Sequence, residues 1–254
     1  MVGMLSWAQQ RRIIFLGKAV VFLVVVFGLY ALVRWYKGPN CGNTVKDGDE
    51  RGVDCGGRCP RVCTADAAMP LILFARALPI DNGLWGTVAS IENRTSGAGA
   101  RNVPYVFKLY DANNVLVYER HGTAFIPPRK IFAIFEGRMD IGNRTPTRAT
   151  FEFLGEPVFV HMTEPELSIH TRGFRADDSG SSLQAIIVNP LRVPVSGIEI
   201  VALLFSADGN ILGASSTVLP VLKGEGSALF TFTWPRPFPN PDRIEITYTV
   251  PGRN

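Results

Sequence analysis

Residues 13–33 form a run of apolar side chains broken only by Lys18, and Cys41 follows eight residues after its end. Few structures accept such a run. As a helix it would be about 31 Å long at about 1.5 Å per residue, close to the thickness of a bilayer hydrocarbon core. Lipid offers no hydrogen-bond partners to a backbone, so a helix is required there. Trp35 and Tyr36 follow and suit a membrane–water interface. Lys18 lies one turn inside the N-terminal end, where its ammonium can snorkel outward. A cleaved signal peptide is the competing reading. It would have an apolar core of about 7–15 residues and a small-x-small cleavage site, and Leu32-Val33-Arg34-Trp35 is not one. A buried core helix is the third. The sequence predicts an uncleaved transmembrane helix within residues 1–36.

Flanking charge does not orient this helix, because Arg11, Arg12 and Lys18 on one side face Arg34 and Lys37 on the other. The cysteines give a better argument. All four lie before residue 64, and structural disulfides persist outside the reducing cytosol. A short cytoplasmic N-terminus and an extracytoplasmic bulk are therefore expected, with the chain in a cell membrane.

The cysteines are spaced Cys41-x13-Cys55-x3-Cys59-x3-Cys63 within residues 37–66. Apolar residues are nearly absent there, so a covalent or metallic cross-link must order the segment. Two disulfides are the favoured reading, with connectivity open. A tetrathiolate zinc site is the rival, although the two C-x2-C pairs usual in zinc ribbons are missing. Asp47, Asp49, Glu50 and Asp54 are candidate calcium ligands by their chemistry, but their spacing is not that of an EF-hand loop. A solvated acidic turn is the plainer reading. The stretch from Asp47 to Cys59 resembles a small module of bacterial surface proteins in which an acidic run precedes D-C-G-G-x-C. The resemblance implies an exported, cysteine-bridged spacer and no known chemistry.

From Ala67 onward, short alternating apolar runs are separated by Gly, Pro, Asn and Asp, the texture of an all-β sandwich. This region repeats. Val103–Val117 matches Ile198–Leu212 at an offset of 95 residues (198 less 103). The strand ending at Asn93 matches the one ending at Asn189 at 96 (189 less 93), and Arg148–Phe153 matches Arg243–Tyr248 at 95 (243 less 148). Two tandem immunoglobulin- or fibronectin-like sandwiches are predicted, over 67–156 and 157–254, after the helix and the cysteine-rich collar. A period of two puts Tyr105, Phe107 and Leu109 on one core face, with Ile200, Ala202 and Leu204 as counterparts. The second copy is also apolar at Val201, Leu203 and Phe205. A strand apolar on both faces is covered on both. The cover would be its own domain, the favoured reading, or else the first copy or a partner.

Phe107-Lys108-Leu109-Tyr110-Asp111 reads F-x-L-Y-D, and the first copy resembles an FxLYD domain, a bacterial extracytoplasmic β-sandwich. The second copy keeps the apolar pattern at Ala202–Ser206 but lacks the leading Phe and the Asp. The resemblance implies an envelope interaction module and carries over no catalytic residue.

Other chemistry is sparse. The three histidines, His121, His161 and His170, form no metal-binding helix motif, and there is no G-x-S-x-G elbow, P-loop or dinucleotide fingerprint. Asp177–Ser182 reads as a polar hairpin loop before it reads as an oxygen-ligand site. Trp234–Pro241, with alternate prolines, is a stiff extended stretch; it would rigidify a link or serve as a recognition edge. Asn93-Arg94-Thr95 and Asn143-Arg144-Thr145 match the glycosylation sequon. Net charge is +4, and Arg129, Lys130, Arg138, Arg144 and Arg148 would form a basic rim suited to anionic envelope polymer or lipid headgroups. No cofactor is expected. The compartment argues against nucleic acid. Membrane lipid and an envelope protein or polymer are the expected partners. The expectation is a non-catalytic extracytoplasmic binding or scaffolding protein. The rivals are an accessory subunit of a secretion or pilus-type machine and an enzyme with an unrecognised site.

Overall fold

The computed structural model describes residues 7–35, 40–81, 83–238 and 240–251, and the chain divides into two compact units between Gly57 and Arg58. In the first unit, helix α1 spans Trp7–Trp35. From Arg11 to Trp35 it is long and apolar enough to cross a membrane, and none of its apolar window is buried. The helix of a soluble core buries one stripe against its neighbours, so the buried-core reading fails here.

The second unit is all strand apart from a single short 3-10 turn among its described residues. Its first six strands are β1 (Leu71–Asp81), β2 (Leu84–Asn93), β3 (Ala98–Tyr110), β4 (Leu116–Ile126), β5 (Lys130–Asp140) and β6 (Arg148–Phe153). They form two antiparallel sheets, ordered β1-β2-β5 and β4-β3-β6. The short β7 (Val160–His161) pairs with the start of β3. The remaining strands are β8 (Ser168–Asp177), β9 (Gly180–Val188), β10 (Val195–Phe205), β11 (Ile211–Leu222), β12 (Ser227–Trp234) and β13 (Arg243–Thr249). Their sheets are ordered β8-β9-β12 and β11-β10-β13, so the second set pairs strand for strand like the first.

Each sandwich closes on its own core. Tyr105 and Phe107 point inward, and Phe107 is fully buried among Ile91, Phe132 and Phe151. Its ring meets Phe151 edge-on with centroids 4.9 Å apart. Leu109 lies in a smaller cluster with Met139 and Ile141. On the other face, Lys108 reaches Glu152 at 3.2 Å. Asp111 closes the following turn by accepting the N–H groups of Asn113 and Val115, both at 2.9 Å. In the second sandwich, Ile200, Ala202 and Leu204 pack with Leu183, Ile187 and Phe232.

The ends of β2 and β9 carry matching corners. Asn93 is buried, donates its amide hydrogens to the carbonyls of Ala98 and Pro127, and accepts the Thr95 N–H. Asn189 does the same with Val193, Lys223 and Leu191. An amide that both donates and accepts ties three loop segments at once, which no apolar residue of that size can do.

The outer face of β10 has a different cover from the one the sequence favours. Val201, Leu203 and Phe205, with Ala214 of β11, pack on Leu78, Val88 and Ala133 of the first sandwich. Phe74 meets Phe205 edge-on at 6.4 Å. Sheets β4-β3-β6, β1-β2-β5, β11-β10-β13 and β12-β9-β8 are thus stacked as four layers, and the apolar second face of β10 is the contact between sandwiches.

A polar knot closes the rim of that contact. Lys130 Nζ lies 2.8 Å from Glu164 and 3.2 Å from the centroid of the Tyr248 ring. Glu164 also accepts the Val250 N–H at 2.8 Å, and the Tyr248 hydroxyl accepts the Leu167 N–H at 2.9 Å. The connecting segment is shared between the sandwiches. Phe159, which the sequence boundary at Pro157 assigns to the second, sits in the first core.

Phe107→Ala should cost roughly 3–5 kcal/mol of unfolding free energy through lost burial and a residual cavity. Lys108→Ala, which loses only a solvent-screened surface ion pair, should leave the unfolding midpoint almost unchanged. Urea unfolding of both variants measures the contrast, and equal losses would contradict the facing assigned to β3.

Burial raises the Tyr105 hydroxyl above its ordinary value of 10.0, aided by its 2.7 Å hydrogen bond to Glu136. Burial also raises Tyr248. Both tyrosines ionise first in the unfolded chain, so the folded state holds the extra protons and stability falls as pH climbs above about 10. The urea midpoint should be insensitive to these groups at pH 8 and decline at pH 11. In Tyr105→Phe the decline should be shallower, and an unchanged slope would remove Tyr105 from this account.

Candidate functional site

The cysteine-rich segment has a backbone that only short polar side chains can hold. Asp54 accepts the N–H groups of Asn43 and Thr44, each at 2.9 Å. Glu50, nearly buried, accepts those of Asp47 and Asp54. Asp47 accepts from the Asn43 side-chain amide at 2.7 Å. Gly57 has φ +60°, and a Cβ there would lie 2.2 Å from the Asp49 carbonyl oxygen. All four cysteines, Cys41, Cys55, Cys59 and Cys63, are in disulfides. This excludes the tetrathiolate zinc reading, because a disulfide sulfur carries no thiolate charge. Of the candidate calcium ligands Asp47, Asp49, Glu50 and Asp54, three spend carboxylate oxygens on N–H donors. Among the described residues, Asp47, Asp49 and Asp54 bring no ligand atoms to a common point. Asp47, Glu50 and Asp54 thereby organise the loop.

The remaining candidates fall apart in space or into structural roles. His121, His161 and His170 are exposed on three different strands. Asp177 accepts the Ser179 N–H across the β8–β9 turn. Its carboxyl is held below its ordinary value by the Ser179 hydroxyl. Asn93 has both amide hydrogens engaged and is 1% exposed, so the folded chain offers no acceptor at that sequon; Asn143 is exposed in a turn.

The first part of the proline-rich stretch, residues 234–238, lies beside a cleft of about 910 Å³ between the two sandwiches. Its walls come from the β1–β2 hairpin and β5 on one side, and from β11, the end of β12 and this stretch on the other. Ser181 fixes the stretch by donating its hydroxyl to the Arg236 carbonyl and accepting the Phe238 N–H at 2.9 Å. Gly180 permits the close approach, since a Cβ there would sit 2.3 Å from the Trp234 carbonyl oxygen. Arg236 reaches across to the Pro79 carbonyl at 3.3 Å. A second hollow of about 430 Å³ continues from the first, sharing Pro79, Asp81, Leu84 and Arg236, and extends to Trp85, Asn143 and Arg144.

The resulting groove is cationic and aromatic. Arg138, Arg144 and Arg236 line it, with Asp81 as the sole acid among the described lining residues, beside Trp85, Phe135, Trp234 and Phe238. Of the basic rim expected from sequence, Arg138 and Arg144 are here, whereas Lys130 is in the interdomain knot and Arg148 stacks on Tyr110. The Trp234 indole N–H is buried with no acceptor. The proline spacing marks Trp234–Pro241 in the sequence. Arg236 and the β1–β2 hairpin carry no sequence signal of a common wall, because 157 residues separate Arg236 from Pro79.

No protein-family model matches the chain, and no curated protein matches it. Among solved structures, a red sea bream transglutaminase aligns over 72% of this chain and 29% of its own, at 11% identity and a TM-score of 0.25. The chain spans under a third of that enzyme's length, and a likeness at this score carries no inference about activity.

The oxidised chain should weigh about 4 Da less than the fully reduced one, since each bridge removes two hydrogens. Intact mass under denaturing, non-reducing conditions measures this. Four alkylatable thiols in the purified, non-reduced protein would contradict the two bridges.

Proposed function

We propose that this chain is a non-catalytic, membrane-anchored binding or scaffolding protein of a bacterial cell envelope. Helix α1 is the uncleaved single-pass anchor, the N-terminus is cytoplasmic, and the disulfide-bridged segment and both sandwiches are extracytoplasmic. The observation that carries this reading is the oxidised state of all four cysteines a few residues beyond an apolar helix with no protein cover. Disulfides of this kind are maintained in an oxidising compartment.

Three further features support it. The two sets of six strands share one pairing order, which is what a tandem repeat of one sandwich would give. The F-x-L-Y-D residues occupy β3 with the two apolar positions inward and Asp111 at the turn, as an FxLYD-type module requires. The fused sandwiches hold a groove between them, the place where binding sites recur in multidomain proteins. The partners of this reading are lipid along α1 and an envelope polymer or protein at the sandwiches.

Expression in a bacterial host followed by fractionation and protease treatment of spheroplasts tests the topology. The full-length chain should stay in the carbonate-washed membrane pellet, and added protease should digest the sandwiches while the membrane remains sealed. Recovery of a soluble chain shortened by its first 33–40 residues would identify α1 as a signal sequence, and protection of the sandwiches would reverse the orientation.

A further inference from the structure

We infer that the groove between the sandwiches binds an acidic saccharide or polyol chain, with Arg138, Arg144 and Arg236 receiving its carboxylate or phosphate groups. This deepens, and rests on, the reading of the chain as an extracytoplasmic binding protein. Three observations carry it.

The first is charge. Three guanidinium groups line the two joined hollows against one carboxylate, that of Asp81. Arg138 and Arg144 are exposed and have no hydrogen-bond, ion-pair or ring partner among the described residues. Guanidinium presents a planar fork of donors that matches a carboxylate or phosphate in two-point contact. Surface arginines are commonly paired in this protein, as Arg94, Arg120 and Arg243 are with Glu92, Glu136 and Glu245. Arg138 and Arg144, by contrast, face the groove with their guanidinium groups uncommitted.

The second is the kind of wall between those charges. Trp85, Phe135 and Phe238, each partly exposed, lie along the two parts of the groove, while Trp234 is buried in the second core beside Phe238. Ser216 and Thr233, both exposed, add hydroxyl-bearing residues to this lining. Aromatic faces accept the C–H side of a sugar ring or polyol backbone, and hydroxyls satisfy its O–H groups. A protein helix would want a continuous apolar stripe, which this polar-interrupted wall lacks.

The third is preparation. The Trp234 stretch is pinned by Ser181 and by its close approach at Gly180, and Arg236 is held against the opposite wall by the Pro79 carbonyl. Less ordering is then left to be lost on binding. The Trp234 indole N–H is left without an acceptor beneath Phe238. Its near neighbour is Gly213, where a Cβ would lie 3.2 Å from Nε1 and 2.9 Å from the Phe238 ring. The two hollows continue into one another, which suits a chain over a single headgroup.

The test uses the full-length protein in non-ionic detergent, with tryptophan emission and calorimetry as readouts. The probes are oligogalacturonate, poly(glycerol phosphate), a neutral maltooligosaccharide, monomeric glycerol phosphate and a single-stranded oligonucleotide. One or both acidic chains should bind and shift the emission, and the arm that binds more tightly distinguishes carboxylate from phosphate. The monomer and the neutral sugar should bind at least about tenfold more weakly. Arg138→Gln and Arg144→Gln should each weaken binding about three- to tenfold, and the salt dependence should flatten. Arg172→Gln, on β8 away from the groove, should leave affinity and salt dependence unchanged. Equal affinity for the neutral chain, preference for the oligonucleotide, or acidic-chain binding insensitive to both groove variants would overturn the assignment. None of these results bears on membrane topology, which fractionation decides separately.

Discussion

Strand β10 is apolar on both of its faces, and the arrangement of the second unit depends on how both are covered. Ile200, Ala202 and Leu204 close the second core, while Val201, Leu203 and Phe205 close the contact with the first sandwich. Burying that second row removes apolar surface that a lone domain would leave in water, at about 25 cal/mol per Å². The facing residues of the first sandwich are modest in size, Leu78, Val88 and Ala133, so the sheets approach closely and the two domains become one compact body. The Lys130–Glu164–Tyr248 knot then seals the edge, satisfying a carboxylate that would otherwise be buried alone.

The groove is a by-product of that stacking. Two sheets that twist can pack tightly over only part of their area, and they diverge towards their ends. Where they diverge, the β1–β2 hairpin and the Trp234 stretch form opposite walls. The contact that fixes the domains therefore also fixes the width of the groove, and a change at Leu203 or Phe205 would be felt there. The disulfide-bridged segment reaches order by another route. With few apolar residues to bury, it relies on two covalent bridges and on carboxylates that accept backbone N–H groups. Asp54 and Glu50 thus do locally what a core does elsewhere.

Much of the architecture was legible in the sequence because it is set by local periodicity. A long apolar run has one structural solution in lipid, and alternation of apolar residues assigns the faces of β3 and β10 without reference to any distant residue. The offsets near 95 link strands that hold the same position in the two pairing orders, and the turn residues Asp111 and Ser206 sit where β3 and β10 end. Composition called for a covalent or metallic cross-link in that segment and favoured disulfides, and all four cysteines are in disulfides. The favoured cover for Val201, Leu203 and Phe205 was a different matter. Periodicity shows that a face is apolar, and it carries no information about which sheet lies against it.

The sequence alone determined the apolar helix, the all-β character, the inward residues of each sandwich and the need for cross-links near residues 41–63. Tertiary structure decided that the sandwiches stack into four layers and that Phe159 serves the first core. It also gathered Arg138, Arg144 and Arg236 along one groove and turned Asn93 from a sequon into a buried corner. The physical reason is range. Hydrophobic patterning and turn chemistry act over a few residues and can be read along the chain. The meeting of Pro79 with Arg236, 157 positions apart, depends on how two sheets pack, and non-directional burial leaves no local trace of its partner.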